Sequence, residues 1–277
     1  MEYATQFQPY TDEQFSAESD LSLITNQDFD FVGAHEVKIY KISTGTLNDY
    51  DRAGTGSNLS RYGKIESLDA TTESFLLRND KSFTFAIDKL DQDETKQQLE
   101  AASALARQNR EIVIPTIEAY TYNQMATNAG TKATAAELTK DNIYDDVLTA
   151  NATLDDALCP PTGRCLIVNP TVYNLLKKSA DIAMNTDIGN DIRLKGVIAT
   201  LDGMNVIKVP AARLPKDFGF MVCHPSATVA PKKLESYQTH VDPPFISGSL
   251  VEGRIVYDAF VLENKAKGIY YQALKTA

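Results

Sequence analysis

The sequence predicts an α+β fold, and three observations carry that expectation. A single helical pattern runs from Asp91 to Asn128. Short strands and helices alternate after Arg164. The segment "GRIVYDAFVLENKAKGIYYQ", Gly253 to Gln272, reads as two apolar strands joined by a polar turn, a closing hairpin of a sheet that clamps the long helix.

Taken in order, residues 1–35 are polar with isolated aromatics at Tyr3, Phe7, Tyr10, Phe15, Phe29 and Phe31. No helical or strand period persists there, so the segment reads as an arm, either loose or laid across a neighbouring surface. "HEVKIYKIST" alternates apolar and polar residues and reads as a strand. Residues 45–67 are dense in Gly, Ser, Asn and Asp and read as loop. "KSFTFAID" places Phe83, Phe85 and Ile87 on one strand face. The pattern pairs these two strands as a long tongue, with the loop between them.

The long helix begins with Asp91 as N-cap and Glu94 closing a capping box. Leu99, Ala102, Leu105, Ala106, Ile112 and Val113 recur at helical spacing, and Gly130 reads as the stop. Pro115 removes one backbone bond and predicts a kink. Unbroken, the rod would span roughly 57 Å at 1.5 Å per residue. That is too long for a ball-shaped core and predicts a flat or elongated molecule. A second helix follows, with Ile143, Val147 and Leu154 apolar. "RCLIVNP" reads as a buried strand, "PTVYNLLKKSA" as a helix with Pro170 in its first turn, and "KGVIATLDGMNVIKVP" as two strands about Asp202-Gly203. "FGFMVCHP" adds a strand, and the Pro pair of "VDPPFISGSLVE" forbids regular structure there.

Composition sets limits on function. With 43% hydrophobic and 23% charged residues among 277, the chain reads as an ordinary soluble protein with a real core. No apolar run is long enough to span a bilayer, and the N-terminus has no signal-peptide pattern, so no membrane partner is expected. The net charge of −10 disfavours gripping a phosphate backbone, though not enclosing one. Cys159, Cys165 and Cys223 are too few for a disulfide framework and point to a reducing compartment.

No catalytic, cofactor-binding or metal-binding residues are assigned, and no enzyme activity is expected. The three histidines, His35, His224 and His240, lie in no hydrolase or zinc motif. Cys223 and His224 are strand neighbours that point to opposite faces. Cys159 and Cys165 match no common zinc spacing. "AGTGSN", residues 53–58, lacks the Lys-Ser/Thr of a phosphate loop, and "DKLDQDE" lacks the Gly and final Glu of a calcium loop. The pairs Asp145-Asp146 and Asp155-Asp156 read as solvated helix faces.

The order of arm, tongue, kinked long helix, α+β module and closing strands resembles the major capsid proteins of tailed bacteriophages with the HK97-type fold. "KSFTFAIDKLDQDET", "REIVIPTIEAYTYNQMA" and "GRIVYDAFVLENKAKGIYYQ" carry the likeness, which covers the chain from about residue 30. The resemblance implies an N-terminal arm at 1–35 and an extended loop at 36–87. It implies a peripheral domain with its spine helix at 88–149, an axial domain at 150–235, and return strands of the peripheral domain at 236–277. It implies a self-assembling icosahedral shell of pentamers and hexamers around double-stranded DNA, held without sequence-specific binding. A separate scaffolding protein, a portal and a decoration protein would be its partners, and the virion its location, after assembly in the host bacterial cytoplasm. Some family members cross-link a loop Lys to a peripheral Asn, and Lys64 and Asn264 sit in the corresponding regions. An encapsulin-type cargo shell is the alternative of the same fold. It is disfavoured because "YATQFQPYTDEQFSAESD" lacks an apolar helical stripe. An α+β hydrolase or transferase is the alternative of another class.

Overall fold

The computed structural model describes residues 19–26, 36–42, 44–54, 60–67, 70–89, 101–179 and 200–275. The chain divides into two compact units, residues 32–77 and residues 1–31 with 78–277.

In the smaller unit, β1 (Glu36–Ile42) pairs antiparallel with β2 (Ala70–Leu76), from Glu36 opposite Leu76 to Ile42 opposite Ala70. The sequence reading paired the first strand with residues 81–88 instead. The true partner, "ATTESFL", carries few apolar residues, and its Thr-rich strand preference is weak without tertiary context. The excursion between β1 and β2 folds back along itself. Asp51 N–H donates to the Arg61 carbonyl at 2.9 Å, Thr46 Oγ1 donates to Glu66 Oε2 at 3.1 Å, and Tyr50 meets Tyr62 edge-on with centroids 5.1 Å apart.

The larger unit holds a six-stranded mixed sheet and a three-stranded antiparallel sheet. The strands concerned are β3 (Asn79–Asp88), β4 (Thr131–Ala136), β5 (Cys165–Val168), β6 (Thr200–Leu201), β7 (Met204–Lys208) and β8 (Phe218–Cys223). They continue with β9 (Thr228–Val229), β10 (Lys232–Val241), β11 (Gly248–Tyr257), β12 (Phe260–Val261) and β13 (Ile269–Leu274). The six-stranded order is β4-β13-β8-β5-β7-β6, and the three-stranded order is β10-β11-β3. The predicted turn at Asp202-Gly203 joins β6 to β7, with φ of 48° and 75° as a type I′ turn requires.

The predicted closing hairpin does not form. Its first strand is the end of β11, paired with β10 and β3, while β13 inserts between β4 and β8. Between them, β12 pairs with β9 and a 3-10 turn spans Glu263–Gly268. Buried Asp258 accepts bonds from Arg78 N–H at 2.9 Å, Tyr120 Oη–H at 2.8 Å and Ala259 N–H at 2.8 Å, which ties the chain down where it leaves β11. Apolar alternation marks both segments as strands but does not name their partners.

Alternation along the six-stranded sheet feeds two cores. Cys165, Ile167, Met221, Cys223 and Ile269 face one cluster with Ile255 and Tyr257 from the end of β11. Leu166, Val168, Phe220, Val222 and Tyr270 face the other. The second is covered by α4 (Ile143–Asp156) and α5 (Pro170–Lys178), through Val147, Leu154, Val172 and Leu176. Asn169 caps α5 by accepting from Val172 N–H at 2.7 Å, one step before the predicted Pro170. The first is covered by the short α1 (Leu21–Ile24) and by the long helix.

That long helix is described from Ala101 to Thr127, about 40 Å at the standard rise. Asp91 and Glu94, the predicted cap, lie outside the described residues. The helix is not uniformly α. It runs as α2 (Ala101–Gln108), a π-helical turn (Asn109–Val113) and α3 (Ile114–Thr127). Ile114 N–H bonds to the Asn109 carbonyl, five residues back, immediately before Pro115. The wide turn falls where proline lacks a donor and crowds the preceding turn, so the chain absorbs it without ending the helix. The extra residue also rotates the apolar stripe. Ile112, expected in the stripe, is exposed, while Ile117, Tyr122 and Met125 are buried. The helix ends at Thr127 with Asn128 as cap, within one residue of the Asn128 end read from the sequence, and Gly130 lies two residues past the cap.

Candidate assembly surfaces

Among the described residues, the cysteines and histidines are held by burial and local bonds. Cys159, Cys165 and Cys223 are free thiols, and burial pushes all three upward, away from the reactive thiolate. His224 is held by Ser226, whose N–H reaches Nδ1 at 3.2 Å, and burial pulls its pKa down so that the neutral ring is favoured. His240 Nε2 lies 2.8 Å from Glu252 Oε1 on an exposed strand face. His35 and residues 55–59 of the Gly-rich segment lie outside the described residues, and Asp51 Oδ1 accepts from Gly54 N–H at 2.8 Å beside that segment. Among the described residues no group of three or more His, Cys, Asp or Glu side chains could hold a metal ion, and no helix is long and apolar enough to cross a membrane.

Two of the acidic positions are more than solvated faces. Asp155 pairs with Arg164 at 2.7 Å, and that arginine is only 1% exposed. Its guanidinium also donates to the carbonyls of Pro160 at 3.0 Å, Cys159 at 2.6 Å and Asn151 at 3.2 Å. Asp146 has its Oδ2 buried without a partner, and burial, then Asp145, push its pKa up. A third buried charge, Glu118 on α3, pairs with Arg213 at 2.6 Å. These arginines bind the helices to their loops. The Cys159 thiol lies beside Arg164, but burial outweighs that cation and keeps its pKa raised.

An open depression of about 550 Å³ lies on the three-stranded sheet, beside Ser82, Thr84, Ser236 and Gln238. Its charges are spent within the sheet: Arg254 is bound to Asp80, which lowers the carboxyl pKa, and Glu252 to His240. Exposed large apolar residues stand elsewhere on the surface. In the smaller unit Leu47 and Ile65 are fully or almost fully exposed, with Tyr50 and Tyr62 beside them in the excursion. In the larger unit, Val241 and Phe245 stand out on the β10–β11 turn and Leu158 at the end of α4. Lys64 and Asn264 are both exposed, in different units. Sequence reading missed the exposed leucines and isoleucine, because exposure of a single apolar residue leaves no periodic signal.

Known proteins agree with a contact-making molecule. The family model "Phage capsid protein" matches residues 72–272. No curated protein matches by sequence. Among solved structures, one from Mycobacterium phage Che8 is similar at 20% identity, over 97% of this chain and 96% of that one, with a TM-score of 0.77. The capsid of cyanophage P-SCSP1u matches at 12% identity over 99% and 94%, with a TM-score of 0.79. The mature capsid of bacteriophage PhiM1 matches at 14% over 99% and 93%, with a TM-score of 0.75. The fold is therefore the α+β fold of HK97-type capsids, as the order of elements implied. With more than half its length matched by that family's model, the chain belongs to the phage capsid protein family and is a major capsid protein of the virion shell.

Proposed function

We propose that this subunit assembles as pentamers and hexamers into an icosahedral shell that encloses double-stranded DNA. Scaffolding, portal and decoration proteins act as separate partners, and assembly takes place in the host cytoplasm. The observation that carries the reading is that the likeness to capsid structures runs nearly end to end, 97–99% of this chain against 93–96% of theirs. The exposed apolar residues of the excursion support it. Leu47, Tyr50, Tyr62 and Ile65 are held out by a segment that is its own contact unit, and burying such side chains on a neighbour would contribute roughly 1.5–3 kcal/mol each. Many modest contacts of this kind add up in a closed shell.

We assign residues 1–35 to the N-terminal arm and 36–77 to the extended loop, and place β3 in the peripheral domain with its partner β11. Residues 88–149 and 236–277 are the peripheral domain, and 150–235 the axial domain. A Lys64–Asn264 cross-link between copies is retained only as a chemical option for two exposed side chains. The cargo-shell and enzyme alternatives are not favoured, since the matching family model is that of phage capsids. Expression of the full chain with the phage's other head genes, followed by sedimentation and electron microscopy, tests the proposal. Hollow icosahedral particles are the expected result, and a product that stays monomeric under those conditions overturns it.

A further inference from the structure

Helix α4 ends in a Schellman motif. Cys159 N–H donates to the Leu154 carbonyl at 3.0 Å and Leu158 N–H to the Asp155 carbonyl at 2.9 Å. The position after the cap must adopt a left-handed backbone, and glycine is its usual occupant because a Cβ there crowds the next carbonyl. Here it is Leu158, at φ 57°. A leucine could be repaid for that strain by packing, yet its side chain is 91% exposed. The conformation is nevertheless fixed from below, because buried Arg164 binds the carbonyls of the next two residues, Cys159 and Pro160. Pro160 and Pro161, both exposed, stiffen the loop further. A local rule is broken here with no gain inside the subunit, and such breaks mark functional positions.

We infer that Leu158 is the apolar centre of a contact with a second copy of this chain, an inference that rests on the shell reading. The charges around it favour a copy over other partners. Exposed Asp156 lies on the helix side, and exposed Lys265 and Lys267 lie on the 3-10 turn on the other. That turn abuts the loop so closely that a Cβ on Gly268 would lie 3.5 Å from Cys159 Sγ. A surface with both signs about an apolar centre complements a copy of itself, whereas nucleic acid or an anionic membrane asks for one sign.

The test compares the wild-type chain with Leu158→Gly, Leu158→Asn and Leu158→Met, each expressed with the other head genes. Melting temperature is read on dissociated subunits and particle yield by sedimentation. Leu158→Gly should melt higher, since strain is relieved, yet yield on the order of tenfold fewer particles. Leu158→Asn, which tolerates the left-handed backbone, should lose particles similarly, and Leu158→Met should retain them. Glycine and asparagine variants that assemble as well as wild type would overturn the inference while leaving the shell reading intact. A wild-type chain that forms no particles would overturn both.

Discussion

At Gly130 the backbone N–H donates to the Ala266 carbonyl at 2.9 Å, and a methyl group there would lie 2.5 Å from that peptide. The sequence marked this glycine as a helix stop, but its φ is not in the left-handed region, and it serves close approach instead. Gly130→Ala must push the Glu263–Gly268 turn away and should cost about 1–3 kcal/mol, read from denaturant unfolding of the dissociated subunit. A loss within error of zero would show that the turn yields freely. The buried charges Arg164, Glu118 and Arg213 were not legible beforehand, because nothing in sequence separates a buried arginine from the many on surfaces. The partners of Cys165, His224 and His240 were equally hidden, because they are set by packing and by local bonds that leave no motif.

Elements were legible where one period dominated. The strand at Cys165–Val168, the helix behind Pro170 and the hairpin about Asp202-Gly203 follow directly from a short apolar run, a first-turn proline and turn chemistry. Partner choice was not, since β2 and β13 find their neighbours through contacts distant in sequence. The π turn before Pro115 was also hidden, because one inserted residue shifts the stripe without erasing it. Helix α4 carries a pH consequence. Burial holds the Asp146 pKa above its ordinary 3.8 despite the positive helix end nearby. The folded state therefore binds this proton more tightly than the unfolded chain. The stability it contributes is present below the unfolded pKa and lost as pH rises through the folded one. Asp146→Asn, which cannot ionise, should raise the melting temperature at pH 7, with the gap to wild type narrowing towards pH 3. A gap that widens on acidification would contradict this account.

For the whole molecule, the order of elements was the readable signal, and it led to the family before any single motif did. The division into units gives a further expectation. Ile42 and Ala70 are register partners, so the excursion between them can be replaced by a two-residue Asn-Gly turn without disturbing β1 or β2. The shortened chain should melt within a few degrees of wild type yet fail to form particles. Full particle yield from it would remove the loop from the assembly scheme. The position of β13 has its own consequence. It lies between β4 and β8, so the strand joining the two parts of the six-stranded sheet is synthesised after both. While that strand is still inside the ribosome, edge strand β4 has no partner in the sheet and β8 lacks one of its two neighbours. The six-stranded sheet can therefore close only once β13 has emerged, and a chain interrupted before it lacks Ile269 from one core and Tyr270 from the other.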